Sequence, residues 1–379
     1  MSEHRPVAVT GLSILTALGR GPEAQLTGVP AFTEVRRFDT SNRRVRYAAT
    51  AADTGTLEEE LDLAIATACA QSGVDRSTTP LLLALHSAPV CDFGQRRVYT
   101  SACVSASTAL ADAATLISTG RADRIVVAAA YLVEPHQFAL FDAGRALADD
   151  NTVRPFSLNR RGLLLGDGVA AVVLQAGEGL AQLLGWSRTG DAYHPCQPSP
   201  DGRGLATAIQ RALAKANVPP EAITYLNANA TGSPLADAAE AAAITHVFHP
   251  ASTGRNPQPP SGGSANEVVG LPTGIPLANP PSDGSAHQTG RGGRGVPAVG
   301  STKGLHGHAL EASGLVEFVV TVQALREGKL PVNAGFLEAD PACPVDLILD
   351  APRPATSAYG MTVNSAFGGA NTALVVRAG

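Results

Sequence analysis

Two short segments carry residue types suited to thioester chemistry. The sequence STKGLHGH places Lys303 and His308 at the start of an apolar stretch that also contains Glu317. Far upstream, the sequence TSACVSAS places Cys103 just before a second apolar stretch. A cysteine attacks as its thiolate, and an imidazole can stabilise charge or move a proton. The two segments together therefore indicate transfer of an acyl group onto a thiol.

Each of these residues has an expected role. Cys103 is the expected nucleophile, because a position at the amino end of a helix lowers the pKa of a thiol and supplies N–H groups for an oxyanion. His308 would stabilise negative charge or shuttle a proton. Lys303 would orient that site, and Glu317 would bind substrate directly or through water, although a purely structural ion pair between them is an open alternative. His306 would point away from His308 in an extended segment, and we expect it to be non-catalytic.

Composition excludes several function classes. The formal net charge of −5 is small and the basic residues are scattered, so the basic stripe of a nucleic-acid-binding protein is missing. The apolar run at residues 7–18 is interrupted by Thr, Gly and Ser, which predicts a buried strand and turn rather than a membrane span. Five cysteines without Cys-x-x-Cys spacing predict neither disulfides nor a zinc site. We therefore expect a cytoplasmic protein that uses no metal and no other cofactor.

Alternating strand and helix patterns predict a layered α/β fold. Thr56 and Glu59 form the capping box that begins the first helix, and Gly73 ends it. The helices at 105–118 and 309–326 are almost wholly apolar, which predicts burial on all sides. The remaining predicted helices are 57–72, 135–147, 204–216 and 236–248, and the predicted strands are 7–11, 81–85, 124–130, 169–174, 223–226, 361–364 and 372–376.

The chemical residues are similar in type and spacing to those of a known enzyme family. Cys103 in its Ser-Ala-Cys setting, Lys303, His308 and Glu317 resemble the β-ketoacyl-acyl-carrier-protein synthases of the thiolase superfamily. The resemblance implies an enzyme that takes an acyl group from acyl carrier protein onto Cys103 in fatty-acid or polyketide assembly. It also implies a dimer, either a homodimer or a heterodimer with a second ketosynthase-like chain.

The same resemblance implies a duplicated five-layer αβαβα thiolase-like fold. Residues 1–178 would form the half that carries Cys103. Residues 179–379 would form the half that carries Asn229 and His308. The two apolar helices, one from each half, would then lie back to back at the centre of the molecule.

Two segments differ in length from the family pattern. Residues 250–299 are dense in Pro, Gly, Ser and Asn, which predicts a flexible insertion that serves as a surface loop, or as a lid or docking element. The stretch before Cys103 is shorter than in the family, where it helps form the acyl tunnel and the dimer face. We therefore expect the acyl tunnel and the dimer face of this chain to differ from those of the family.

One catalytic position departs from the family. The sequence NANATGSP puts Asn229 where the family's Asn-Ala-His-Gly-Thr-Gly-Thr-Pro motif has its first catalytic histidine. An asparagine amide donates hydrogen bonds but does not transfer protons near neutral pH, and losing a general acid or base costs about 10² to 10⁴ in rate. By the resemblance, Thr231 and Ser233 of this motif and Phe367 of the terminal glycine-rich turn bind substrate. Phe367 would also gate the acyl site and contribute its backbone N–H to the oxyanion hole.

Three functions stay open on this evidence. The first is a divergent β-ketoacyl synthase whose condensation step is weakened by Asn229. The second is a non-catalytic subunit, similar to a chain length factor, that pairs with a competent synthase. The third is a cysteine hydrolase or cyclase that uses Cys103, His308 and Asn229 on an acyl thioester.

Overall fold

The computed structural model describes residues 4–86, 96–249 and 295–379. The strands are β1 Val7–Thr16, β2 Gly19–Arg20, β3 Thr33–Glu34, β4 Tyr47–Ala48, β5 Leu81–Ala84, β6 Arg96–Tyr99, β7 Arg124–Tyr131, β8 Gly168–Ala176, β9 Ala181–Gly190, β10 Ile223–Asn227, β11 Ala298–Gly300, β12 Lys329–Leu330, β13 Arg353–Pro354, β14 Tyr359–Ser365 and β15 Ala370–Ala378. The helices are α1 Leu57–Ser72, α2 Ser105–Ser118, α3 Pro135–Ala143, α4 Arg203–Ala216, α5 Pro234–Phe248, α6 Lys303–His306 and α7 Ser313–Arg326.

The strand order repeats within the chain. In the first half the spatial order is β6-β5-β7-β8-β1, and in the second half it is β11-β10-β14-β15-β9. In each half the first two neighbouring pairs are parallel and the last two are antiparallel. A shared order and shared directions are what duplication of one unit produces. The boundary at residue 178 itself stays a prediction.

Helices cover both halves of the sheet and separate them at the centre. Helix α1 packs on β1, β7 and β8, while α2 packs on the opposite face of β7, and α7 packs on β14 and β15. Helix α4 packs on β9 and β15 and contacts α5. The successive layers are therefore helix, sheet, paired helices, sheet and helix, which confirms the predicted five-layer α/β architecture.

Strand β7 shows why its sequence suits this position. Val126 and Ala128 belong to the apolar cluster around α1, whereas Val127 and Ala129 belong to the central cluster that contains α2 and α7. Alternate side chains of a strand point to opposite faces. A strand that is buried on both faces therefore needs the unbroken apolar run that this sequence provides.

The central helices α2 and α7 begin in matching ways. A 3-10 turn precedes each helix, at Ala102–Val104 and Leu310–Ala312. The first residue of each turn has a left-handed backbone, with φ of +50° at Ala102 and +44° at Leu310. A non-glycine residue in this region is uncommon, and such residues cluster at functional sites.

Helix bounds largely follow the sequence patterns. Helix α1 has the predicted bounds, and its capping box is formed by Thr56 and Glu59. Helix α3 ends at Ala143 rather than at residue 147, because the chain turns at Gly144. Helix α7 begins at Ser313 rather than at residue 309, because a 3-10 turn takes the first positions.

Three further expectations meet the structure differently. Most of the predicted insertion, residues 250–294, lies outside the described residues, and its predicted end at 299 is wrong because Ala298–Gly300 form strand β11 beside β10. Strands β6 and β9 of the main sheet were not predicted. The segment Lys303–His306 is a helical turn and not the extended chain that we assumed for His306.

Candidate active site

Cys103 and His308 meet at the centre of the molecule. Cys103 lies in the 3-10 turn before α2, and its Sγ is 3.2 Å from Nε2 of His308. Both side chains are buried, with exposed fractions of 8% and 4%. The two ends of the predicted pair come from different halves of the chain, and the packing of α2 against α7 brings them together.

The backbone of His308 is fixed by the first half of the chain. Its N–H donates to the carbonyl of Leu164 at 2.8 Å, and its carbonyl accepts from the N–H of Gly166 at 3.0 Å. A Cβ atom on Gly166 would lie 1.9 Å from the carbonyl oxygen of His306. A glycine at this position therefore permits the close backbone approach that holds the imidazole at the thiol.

Burial makes the thiol and the imidazole a neutral pair at rest. It raises the pKa of Cys103 to about 12, and the neighbouring Glu311 carboxylate raises it further, against a smaller lowering by Lys303. Burial also lowers the pKa of His308 well below its ordinary value, with the positive charge of Lys303 adding to the effect. The net pKa of Cys103 is therefore raised and not lowered as expected, because desolvation of the thiolate outweighs the effect of the helix end.

Asn229 lies where strand β10 leads towards helix α5, and two buried groups hold it. Its backbone N–H donates to Oε1 of Glu240 at 2.7 Å, and its side-chain Oδ1 accepts from Nζ of Lys303 at 3.2 Å. Burial raises the pKa of Glu240 to about 8. Since an ammonium group can only donate, the amide oxygen faces Lys303 and the two amide N–H donors are directed elsewhere.

Lys303 and Glu317 form an ion pair behind Asn229. Both residues are almost completely buried, at 1% and 0% exposure, and Nζ of Lys303 is in direct contact with Oε1 of Glu317. Asn364 donates to the other oxygen of the same carboxylate. Burial raises the pKa of Glu317, while Lys303 acts to lower it.

A cavity of about 240 Å³ opens in front of the thiol. Cys103, Asn229 and His308 line it together with three of the predicted substrate-binding residues, Thr231, Ser233 and Phe367. Glu317 and Lys303 are not among its lining residues, and the expected role of Glu317 in substrate binding stays a prediction. Glu317 holds Lys303, which in turn holds Asn229.

The mouth of this cavity carries apolar and charged side chains. Phe367 is 57% exposed, and its ring stacks on that of Phe141 with 6.5 Å between the centroids. Arg145 and Arg161 are exposed and line the cavity together with Asp191. Arg161 is paired with Asp149 at 3.1 Å, so Arg145 is the lining cation for which the described residues show no ion pair.

His306 lies apart from the cavity. Its ring nitrogens are 3.0 Å from the hydroxyl of Thr302 and 2.9 Å from the carbonyl of Gly307, and burial lowers its pKa to about 4. It does not line the cavity. Its non-catalytic assignment stays a prediction, but the assumed extended geometry is replaced by a helical turn.

The sequence interpretation missed several residues at this site. Glu240 supports Asn229, Ser313 contacts His308, and Glu311 lies beside the thiol with Oε1 at 3.1 Å from Nδ1 of His86. A signal for Glu311 was available, because a charged residue stands three positions after His308, just before a largely apolar helix. The contact with His86 had no local signal, since it joins residues far apart in sequence.

Two family models match the chain. The family model for the N-terminal domain of beta-ketoacyl synthase matches residues 94–178. The model for the C-terminal domain matches residues 180–270 and 283–337. The unmatched residues 271–282 lie within the predicted insertion.

Individual proteins are similar to this chain in sequence and in fold. The 3-oxoacyl-[acyl-carrier-protein] synthase 2 of Staphylococcus aureus is 26% identical over 297 residues, which cover 75% of this chain and 63% of that protein. The chain thus spans less than two thirds of the length of that relative. Among solved structures, the ishigamide ketosynthase/chain length factor covers 99% of this chain and 100% of its own, with a TM-score of 0.79 and 21% identity. A beta-ketoacyl synthase from Burkholderia phymatum gives the same coverage and TM-score at 22% identity, so the fold is the thiolase-like fold of ketosynthases.

Proposed function

Because this chain belongs to the β-ketoacyl synthase family, we propose that it accepts an acyl group from acyl carrier protein onto Cys103 in fatty-acid or polyketide assembly. The observation that carries this proposal is the 3.2 Å separation of the Cys103 sulfur and the His308 imidazole in one cavity. Acyl transfer needs a nucleophile, an oxyanion site and a docked carrier. The described site offers groups for each of these tasks.

The first reaction is a thioester exchange. The Cys103 sulfur attacks the acyl carbonyl, and the bond from that carbonyl to the pantetheine sulfur breaks. The proton of the Cys103 thiol ends on the departing pantetheine thiol, so the exchange balances without a cofactor. The backbone N–H groups of Cys103 and Phe367 would bind the oxyanion that forms during attack.

The second reaction, condensation, would run with altered machinery. Loss of carbon dioxide from a malonyl thioester creates an enolate, whose carbon attacks the acyl carbonyl on Cys103. The bond from that carbonyl to the Cys103 sulfur then breaks, and the departing thiolate takes up a proton from solvent to restore the thiol. The Asn229 amide and the His308 imidazole would both donate hydrogen bonds to the enolate oxygen, with Lys303 fixing the amide orientation. Since the amide does not exchange protons, we expect condensation to be slower than with histidine by about 10² or more.

The proposed partner is an acidic carrier protein with a phosphopantetheine arm. Arg145 suits the arm's phosphate and the carrier's acidic surface, and Arg161 could join it by exchanging its pairing with Asp149. Thr231 and Ser233 would contact the arm inside the cavity. We also propose that the halves meet near residue 178 and that the protein acts in the cytoplasm as a homodimer or heterodimer. The free cysteines among the described residues suit a reducing compartment.

Intact mass measurement tests acyl transfer directly. Incubation with acyl-carrier protein should add one acyl mass to the chain, and the Cys103→Ala variant should show no adduct. Cys196 provides a matched control, because this exposed thiol lines the same cavity and Cys196→Ala should keep the adduct. Absence of an adduct in the unaltered protein would overturn the proposal, and steady release of free acid would favour a hydrolase.

The Asn229→His variant tests the condensation step. With malonyl-carrier protein supplied, the variant should form β-ketoacyl product faster than the unaltered protein by about 10² or more, because a second imidazole restores proton transfer. Product chromatography under single-turnover conditions measures this rate. An unchanged rate would place the limiting defect outside residue 229.

A second candidate is a non-catalytic subunit similar to a chain length factor. The neutral thiol with 8% exposure favours it, and so does the likeness of the fold to a ketosynthase/chain length factor. Under this candidate the chain would form a heterodimer with a competent ketosynthase and would carry no acyl adduct. Co-expression with such a partner, followed by product analysis with Cys103→Ala in this chain, separates the two because the subunit would tolerate the change.

A further inference from the structure

Ser313 connects the imidazole of His308 to the start of helix α7. Its hydroxyl oxygen lies 2.7 Å from Nδ1 of His308 and accepts the backbone N–H of Ala309 at 3.0 Å. On the other side of the ring, Nε2 lies 3.2 Å from the sulfur of Cys103. All of these atoms belong to buried residues, so each polar hydrogen depends on a protein partner.

The number of hydrogen-bond donors and acceptors distinguishes the two neutral forms of the His308 ring. A serine hydroxyl has one hydrogen to donate and two lone pairs to accept with. If the ring proton is on Nδ1, the Ser313 oxygen accepts from both Ala309 and His308. The hydroxyl hydrogen then has no acceptor among the contacts that the described residues make with Ser313.

The other form satisfies the serine completely. With the ring proton on Nε2, the Ser313 hydroxyl donates to Nδ1 and still accepts from Ala309, while Nε2–H donates to the Cys103 sulfur. The cost is that the thiol hydrogen loses Nε2 as a possible acceptor. An unsatisfied buried hydroxyl costs about 1–3 kcal/mol, whereas a thiol is a weak donor, so the Nε2–H form is favoured.

We infer that Ser313 is a positioning residue that holds His308 in its Nε2–H form. In this form the imidazole presents a hydrogen-bond donor to the cavity and stabilises negative charge on sulfur or on a bound carbonyl oxygen. It does not act as the resting base for the Cys103 thiol. The inference deepens the proposed function, on which its catalytic meaning rests, because it assigns His308 the donor role among the two that the sequence left open.

The protonated ring nitrogen can be measured in the resting protein. Long-range proton–nitrogen correlation spectra of the full chain with ¹⁵N-labelled histidine distinguish the two neutral forms, and the signal lost in His308→Gln identifies the residue. We expect His308 in the Nε2–H form near neutral pH. In Ser313→Ala we expect the ring to stay Nε2–H and the ¹⁵N signal of its unprotonated Nδ1 to move downfield, because the hydroxyl that donates to Nδ1 is gone.

Ser118→Ala serves as the control variant. Ser118 is also a buried serine on a central helix, but its hydroxyl donates to the carbonyl of Thr115, so the His308 signal should stay unchanged. An Nδ1–H ring in the unaltered protein, or an unshifted signal in Ser313→Ala, would overturn the inference. The measurement needs no substrate, so loss of acyl transfer with an Nε2–H ring would count against the proposed function alone.

Discussion

At the scale of single residues, the chemistry of this site depends on what surrounds the Cys103 sulfur. Burial raises its pKa to about 12, and Glu311 contributes further in the same direction. Cys103 and Glu311 occupy the middle positions of the two matching 3-10 turns that precede α2 and α7. The duplicated fold thus places a carboxylate beside the nucleophile, where it opposes formation of the thiolate.

Removing this charge should make Cys103 more reactive. In Glu311→Gln the pKa of the thiol should fall, and alkylation by iodoacetamide at pH 8 should accelerate by about tenfold for each unit of that fall. In the unaltered protein the rate should keep rising with pH beyond 9, because the thiol remains protonated below a pKa of about 12. Mass spectrometry of the Cys103 peptide measures both rates.

A matched variant separates this local effect from a change in net charge. Glu327 caps the carboxyl end of helix α7 and is exposed, so Glu327→Gln should leave the alkylation rate of Cys103 unchanged. Equal acceleration in both variants, or none in Glu311→Gln, would contradict the assigned influence of Glu311.

At the scale of elements, α6 and α7 are joined by a buried charge pair. Lys303 on α6 contacts Glu317 on α7, and Lys303 also holds the amide of Asn229. A buried pair contributes little net stability, because desolvation offsets its attraction, but removal of one partner leaves an unpaired buried charge. The main effect of the pair is therefore to fix the positions of α6 and Asn229 relative to α7.

Single and double substitutions should show this asymmetry. Lys303→Met should lower the free energy of unfolding by about 3–5 kcal/mol, because it strands the Glu317 carboxylate. The double variant Lys303→Met with Glu317→Gln should recover much of that loss, since no buried charge is left alone. Urea denaturation measures each value, and a double variant less stable than Lys303→Met would refute this account.

At the scale of the whole molecule, the site exists because α2 and α7 pack closely. A Cβ atom on Gly314 of α7 would lie 2.9 Å from both the backbone nitrogen and the hydroxyl oxygen of Ser107 on α2. The Ser107 hydroxyl also accepts a hydrogen bond from Thr372 on β15 at 2.8 Å. Helix α2 is thus held between α7 and β15, and it cannot move away from a larger side chain on α7 without losing the contact with β15.

A larger side chain at this contact should separate the catalytic pair. Gly314→Val should destabilise the fold by about 1–3 kcal/mol through overpacking, and it should slow formation of the Cys103 adduct by moving α7 away from α2. Thermal unfolding and the intact mass assay measure the two effects. Gly190→Ala is the control, because a Cβ atom there meets nothing within 4 Å; equal losses in both variants would contradict this role for the contact.

The sequence by itself determined the layered α/β pattern and the pairing of Cys103 with His308. Unbroken apolar runs mark strands and helices that are buried on both sides, and the Thr56 capping box marks the start of α1, because these signals act over a few neighbouring residues. The positions of most helices and of the longer buried strands could therefore be predicted from the sequence.

The tertiary structure alone decided how the site works. In the folded chain the pKa of Cys103 is raised, which favours the neutral thiol. Glu317 is not among the residues that line the cavity, whereas Glu311 and Ser313 lie beside Cys103 and His308. Desolvation, charge proximity and hydrogen-bond partners depend on residues that are distant in sequence and meet only when the two halves pack. Local patterns identify reactive side chains, but the surroundings that set their protonation are created by the fold.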